Sequence, residues 1–537
     1  MNKRLTYLFV TLITAILPFL AHAKETRPNI VMIMADDMGW SDLGCYGSGI
    51  QTPNLDRLAG NGIRFTQFHN TAKCFPSRAC LLTGVYAQQN NMARRAEQLK
   101  NSVTAAEVLR KAGYRTLAAG KHHGLDNLYD RGFDRYFGLR DGACNYFNPG
   151  QRRPGEVEPA HKKGMFPRKW CIDAETVAPY TPKEKDFYTT DYFTKYALEY
   201  LEEYKNEDKP FFLYLAYTAP HDPLQAWPED IEKYTGKFMK GYEYYRKARY
   251  KRMTETGLID ETFPLSSPAY RDWDSLPQAE KVKEDRRMAV YAAMIECMDR
   301  NIGKVLDKIE SLGERDNTLV LFTSDNGCSP GTDTDFKGFN PGADEGEIGS
   351  MQRYTKLGID WANVSNTPFK LYKTNAHKGG TCAPLIAHWP KGIEGKNRIT
   401  HTVGHFIDFM PTFIDISGAE YPAEFKGEKI VPMQGQSLLP IFQNKDVERH
   451  KPIFWQFGKG KAIRCENWRL VSDGGTPWNL YDMTADRTET TDLSKKHPEV
   501  VSKLNKLYED WLKSNPTTQK SRKTKRQRKP KPGELKK

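Results

Sequence analysis

Long apolar runs are scarce in this chain. Beyond its first two dozen residues, no segment reaches the roughly eighteen continuous apolar positions that a membrane-crossing helix needs, so no membrane span is expected there. Cysteine is sparse too: nine in 537 residues, with no C-x-x-C pair. That excludes a disulfide-stapled scaffold and argues against a structural zinc cluster. There is no internal repeat. Positive charge looks abundant at +13, but Lys520 to Lys537 hold ten Lys/Arg against one acid, Glu534, and Lys3 and Arg4 add two more. The body is left close to neutral, and a nucleic-acid partner is not expected. With 39% hydrophobic and 12% aromatic residues the chain can build a large core, which excludes disordered, collagen-like and mucin-like classes. At about 150 residues per domain the length allows two to four domains or one large α/β unit.

The two ends read as addresses rather than fold. Residues 1–23 carry Lys3 and Arg4, an apolar run from Leu8 to Leu17, and Ala21-His22-Ala23. This is the pattern of a secretory signal peptide, and it predicts an exported protein, periplasmic or secreted. Residues 516–537, basic, with Pro530 and Pro532 and almost nothing apolar, read as a disordered tail. In an oxidising compartment the odd cysteine count leaves at least one cysteine without a partner.

Between the ends the chain alternates short apolar runs, bounded by polar residues, with amphipathic stretches. Asn29–Ala35, Phe211–Ala216 and Thr318–Thr323 have the composition of strands buried on both faces. Val103–Ala112 and Tyr291–Ile309 space their apolar residues at helical intervals and stop at Gly113 and Gly313. Helix, glycine, strand is the unit of a parallel sheet, and the fold class is α/β. Segments 145–184 and 234–285 fit poorly: the first is Gly/Pro-rich and irregular, the second polar, aromatic and insertion-like, and such excursions are expected to shape the mouth of a site. From Ile453 short alternating pieces precede a helix over Glu499–Leu512, which predicts a small antiparallel sheet plus one helix. The expected division is 24–445 for a catalytic domain and 446–515 for a C-terminal subdomain.

Chemistry gathers at strand ends. The first strand runs into Asp36-Asp37, and the strand ending at Thr323 runs into Ser324-Asp325-Asn326-Gly327. Ligands of open parallel sheets bind outside the carboxyl ends of the strands, and four oxygen-bearing side chains there suit a hard cation such as Ca²⁺ or Mg²⁺. Taken alone, such carboxylates are often only helix caps and turns. In Cys74-Phe-Pro-Ser-Arg78, Pro76 and Ser77 suit a helix's first turn. Cys74 then sits at the positive helix end, and Arg78 follows one turn later on the same face.

Cys74-x-Pro-Ser-Arg78 followed by Leu82-Thr83-Gly84 resembles the signature of the type I, formylglycine-dependent sulfatases, arylsulfatase-like members of the alkaline-phosphatase superfamily. Six further motifs occur in that family's order: Asn29–Gly44 with Asp36-Asp37, Thr52-Pro-Asn-Leu-Asp-Arg-Leu58, Gly120-Lys121-His122-His123, Pro220-His221-Asp222-Pro223, Ser324–Gly327 and Gly379-Gly380. They cover residues 29–390 and extend more weakly to Leu512. The resemblance implies a large, mostly parallel sheet flanked by helices, as in alkaline phosphatase. It also implies conversion of Cys74 to Cα-formylglycine by a maturation enzyme, which would account for the odd cysteine.

By the same resemblance, Asp36, Asp37, residue 74, Asp325 and Asn326 hold one divalent cation, Ca²⁺ ahead of Mg²⁺. Arg78 and Lys121 hold the aldehyde hydrate and His123 helps deprotonate it. One hydroxyl of the hydrate attacks sulfur; the other then expels sulfate and restores the aldehyde. His221 and a lysine bind the ester and protonate the leaving oxygen. The family's lysine lies six residues before the glycine pair, which selects Lys373. His377 and Lys378 stand second, as substrate contacts; Lys378 occupies a place where many members carry Glu and is expected to add a cation beside the site. Cys80, His401, His405, His450 and His497 read as structural or surface residues.

A phosphatase or phosphodiesterase of the same superfamily, and an inactive glycan-binding relative, are the competing readings. The first would typically use Ser or Thr as nucleophile. Export, Lys378 and the aromatics Tyr242, Tyr244, Tyr245 and Trp273 favour a sulfated carbohydrate as substrate, with aryl sulfates as surrogates. Oligomeric state is left open.

Overall fold

The computed structural model describes residues 27–332, 338–445 and 447–515. The expected signal peptide and basic tail lie outside them. Eleven strands form one sheet: β1 Asn29–Ala35, β2 Ile63–His69, β3 Arg115–Gly120, β4 Arg135–Leu139, β5 Trp170–Ile172, β6 Glu175–Val177, β7 Phe211–Ala216, β8 Thr318–Ser324, β9 Cys382–His388, β10 Arg398–Thr400 and β11 Gly404–His405. Their order is β10-β2-β9-β8-β1-β7-β3-β4-β5-β6, with β11 beside β2. The α/β class, the mostly parallel sheet and the C-terminal antiparallel sheet are those the sequence predicts.

Strand alternation divides the interior in two. Val31, Ile33 and Ala35 of β1 point into one core with Met288, Tyr291, Met294 and Ile295 of the helix Gln278–Ser311. Ile30, Met32 and Met34 point into the other, with Leu81 and Leu82 of the helix Cys74–Thr83 and Phe409, Met410 and Phe413 of the helix Phe409–Ser417. A strand wet on neither face has no reason to carry a polar residue, and β1 carries none after Asn29.

Strand polarity positions the site. β1 runs parallel to both β7 and β8, and β3 runs parallel to β7. β9 is antiparallel to both β8 and β2, so β2 shares the direction of β8 and β9 begins at the edge where the others end. Residues that follow β1, β2, β3, β7 and β8, and those that precede β9, therefore converge on one edge. Backbone bonds extend past the strand ends: Lys121 N donates to Ala216 O at 2.7 Å, Asp36 N to Ala219 O at 3.0 Å and Asp325 N to Ala35 O at 3.2 Å.

Some expectations need adjustment. Segment 234–285 carries the helix Tyr242–Glu255 and the first turns of Gln278–Ser311, joined by an irregular stretch. Segment 145–184 contributes β5 and β6. The aromatics expected to favour a sugar substrate mostly pack on the core instead: Tyr245 and Trp273 are half-buried against it, and Tyr242 is buried, its ring centroid 5.0 Å from Trp273 and 4.8 Å from Trp361. Tyr244 alone of the four is exposed, and its ring sits under the Lys240 ammonium.

The C-terminal sheet has four antiparallel strands, Ile453–Phe457, Gly460–Cys465, Trp468–Ser472 and Asn479–Asp482. Leu504 and Tyr508 of the helix Pro498–Ser514 cover it. The fourth strand escapes the sequence reading because Asn479–Asp482 has only two apolar residues. Among the described residues no helix is long and apolar enough to cross a membrane, and none of the nine cysteines forms a disulfide.

Candidate active site

Two glycines let the converging loops close. A Cβ on Gly327 would lie 1.8 Å from the carbonyl oxygen of Gly379, so the loop after β8 and the loop before β9 touch only because neither carries a side chain there. Gly120 ends β3 at φ +119, a conformation open to glycine, and turns Lys121 inward.

Asp36, Asp37, Cys74 and His221 each offer one ligand atom, all within 4.8 Å of one another. Asp325 accepts the Asp37 amide at 3.3 Å through Oδ1 and Arg78 Nε at 2.9 Å through Oδ2. Asn326 Nδ2 donates to Asp37 Oδ1 at 2.6 Å. Lys121 pairs with Asp36 and Lys373 with Asp37. His221 Nε2 lies 3.4 Å from Asp37 Oδ2. Thus Asp36, Asp37, Cys74, Arg78, Lys121, His221, Asp325, Asn326 and Lys373, drawn from positions as far apart as 36 and 373, form one cluster.

Cys74 is the first residue of its helix and fully buried. Arg78, four residues on, is held from three sides by Asp325, by Asp36 at 3.6 Å and by the Lys121 carbonyl at 2.8 Å. Ser77 serves the loop instead, accepting the Thr71 amide at 3.0 Å. Asp37 and His123 both sit at positive φ, 65° and 62°, a backbone strain that persists where surrounding structure enforces it. His123 stands edge-on to Phe75 at 5.7 Å, and its Nδ1 is buried without a hydrogen-bond partner. Burial and the charges of Lys121, Lys73, Arg78 and His221 hold that imidazole neutral.

The carboxylates are electrostatically unequal. Burial, then Asp325, raises Asp36 to about 8 against the pull of Lys121. Burial also works against ionisation of Asp37, but His221, Lys373 and Lys121 outweigh it and keep its pKa far below the ordinary range. Asp36 Oδ1, Asp37 Oδ2 and Asn326 Oδ1 are buried acceptors without a hydrogen-bond partner, Asp37 Oδ2 facing His221 Nε2 beyond hydrogen-bond geometry. Three oxygens without hydrogen bonds, two of them on adjacent acids, are what a hard cation would satisfy.

His377 and Lys378 lie before β9 but are committed elsewhere. His377 Nδ1 meets Asp473 Oδ2 at 2.7 Å. Lys378 departs from the expectation of a cation beside the site: it is fully buried, its Nζ donates to Arg487 O at 2.8 Å, and Phe369 and Phe263 cover it. The charge expected there for substrate is spent on joining the loop to the C-terminal unit. Sequence reasoning also missed the residues that orient the site. Asp222, whose main-chain carbonyl lies 2.6 Å and whose Oδ1 lies 3.3 Å from His221 Nδ1, was visible in the quoted Pro-His-Asp-Pro motif. Asp473, nearly a hundred residues from His377, left no signal.

Comparison with known proteins decides the family. Residues 28–419 match the family model described as Sulfatase, and residues 373–514 match that of the N-sulphoglucosamine sulphohydrolase C-terminal region. The chain belongs to the sulfatase family. It is similar to an uncharacterized sulfatase of Schizosaccharomyces pombe, 33% identical over 92% of this chain and 94% of the relative. An arylsulfatase of Klebsiella aerogenes is 32% identical over 78% of this chain and 93% of its own. Among solved structures, Ps i-CgsB in complex with k-i-k-neocarrahexaose superposes with a TM-score of 0.67 at 26% identity, covering 92% and 94% of the two chains. This sulfatase is a sulfuric ester hydrolase with the alkaline-phosphatase-like fold.

Proposed function

We propose that this sulfatase is an exported enzyme that hydrolyses sulfate esters of a glycan, using Cys74 as formylglycine and one divalent cation, Ca²⁺ first. The observation that carries the cation is the set of buried oxygens without hydrogen bonds on Asp36, Asp37 and Asn326, completed as ligands by Asp325 and residue 74. When bound, the cation supplies Lewis acidity toward sulfate oxygens, and the aldehyde hydrate supplies a hydroxyl nucleophile that an exported thiol could not.

The remaining work falls to the chain's own groups. Arg78, fixed by Asp325 and the Lys121 carbonyl, presents a permanent charge to the hydrate. Lys121 shares that task, and neutral His123 is available to accept a hydroxyl proton. Lys373 neutralises sulfate oxygens. His221, with Asp222 on its Nδ1 side, turns Nε2 toward the ester and protonates the leaving oxygen. Two likenesses support a glycan: the carbohydrate-bound Ps i-CgsB and the N-sulphoglucosamine sulphohydrolase C-terminal match. The test pairs a chromogenic aryl sulfate with the matching aryl phosphate, before and after chelation. Sulfate preference lost on chelation and restored by Ca²⁺ is expected; phosphate preference, or activity indifferent to chelation, contradicts the reading.

A further inference from the structure

Among the described residues, two lysines near the cluster form no ion pair. Lys73 precedes Cys74 directly, in extended backbone at φ −151, and is half-buried. Lys162, also half-buried, is fixed by an isolated bridge to Phe339, and its Nζ lies 5.3 Å from the Tyr354 ring centroid and 5.8 Å from that of Phe339. Neither Nζ has a hydrogen-bond or ion-pair partner among the described residues, an uncommon state for a half-buried lysine. Asp222, the acid acting on Lys162, is already engaged with His221 at 3.3 Å. Burial first, then Lys356, Arg168 and Lys73, depress the Lys162 pKa, while Asp222 opposes them. Lys73 also lies near enough to His123, at the reacting centre, for its charge to help hold that imidazole neutral.

We propose that Lys73 and Lys162 form a subsite for a second anionic group, a sulfate or a carboxylate, carried by the same saccharide beside the ester that is cleaved. The inference rests on the glycan-sulfatase reading above and names the class of glycan: one with at least two anions within reach of each other. It takes over the role that Lys378, buried against Arg487, does not fill.

The test measures kcat/KM on three saccharides of one backbone, bearing the scissile sulfate alone, with a second sulfate, or with a uronate carboxylate, and on an aryl sulfate. The wild type is expected to favour one or both dianionic saccharides over the monosulfated one, by a ratio that falls as ionic strength rises. Lys162→Met and Lys73→Met, assayed separately, should each reduce that ratio about tenfold, the loss of one charge-assisted hydrogen bond. Lys162→Arg should retain it. A wild-type ratio near one overturns the subsite while aryl sulfate turnover leaves the sulfatase chemistry standing. A ratio unmoved by both methionine variants overturns it equally. Aryl sulfate turnover without cleavage of any saccharide overturns the glycan reading and the subsite with it.

Discussion

Arg78 Nε and Asp325 Oδ2 meet at 2.9 Å across 247 residues of sequence, both side chains buried. That one contact ties the helix bearing Cys74 to the loop after β8. Burial opposes the charge on Arg78, but Asp325, Tyr214 and Asp36 raise its pKa above the ordinary value. Removing one partner of a buried pair leaves the other uncompensated and costs about 3–5 kcal/mol. Arg78→Ala should therefore lose stability of that order in chemical denaturation, besides losing turnover. Arg78→Lys should recover little of either, because an ammonium cannot reach Asp325 and the Lys121 carbonyl together.

Asp36 predicts how cation binding responds to pH. Its carboxyl, raised from 3.8 to about 8 by burial and then Asp325, keeps a proton in the folded, cation-free protein where the unfolded chain has released it. That contribution to stability is complete below pH 4 and is lost as pH rises through about 8. A cation must displace the same proton, so Ca²⁺ affinity should climb by up to about tenfold per pH unit below that point and level off above it. Calorimetric titration in buffers of different ionisation enthalpy would count the proton. Asp36→Asn should abolish the release.

His221 is predicted to act on the leaving group. His221→Ala should reduce kcat on a sugar sulfate by about 10²–10⁴ and much less on nitrophenyl sulfate, whose phenolate leaves without help. Asp222→Asn removes the carboxylate charge 3.3 Å from His221 Nδ1 but keeps the main-chain carbonyl of residue 222 at 2.6 Å, so it should move both rates in the same sense by smaller amounts. Equal losses on the two substrates would remove the assignment.

Lys378 should behave as a structural residue. Burial, with Arg464 and Arg469, lowers its pKa to about 7 against Cys382 and Glu489. Its folded pKa lies below its unfolded one, so the unfolded chain binds the extra proton and stability falls as pH drops from about 10 toward 7. Lys378→Met should flatten that slope in thermal melts and leave the selectivity between mono- and dianionic saccharides unchanged.

What was legible in the sequence follows from how local the signals are. β1 and β8 were readable because a strand buried on both faces must be continuously apolar, and their following acids lie where parallel strands place ligands. Lys121, His221 and Lys373 needed the family's motif order, since an isolated Lys or His looks the same in a loop or a site. Lys378 was misjudged because its neighbours Arg487 and Phe263 are more than a hundred residues away on either side. Tyr242 and Trp273 were misjudged because an aromatic in a polar segment gives no sign of whether it faces sugar or Trp361. The unpaired charge of Lys162 became visible only with Tyr354 and Phe339 in place around it.

The most direct measurement is peptide mass spectrometry of residues 74–78 from active enzyme, combined with turnover of Cys74→Ala. The account predicts the aldehyde mass or its hydrate at position 74, and loss of sulfate release in the variant. A free thiol at that position in fully active protein, or undiminished turnover by Cys74→Ala, would contradict it.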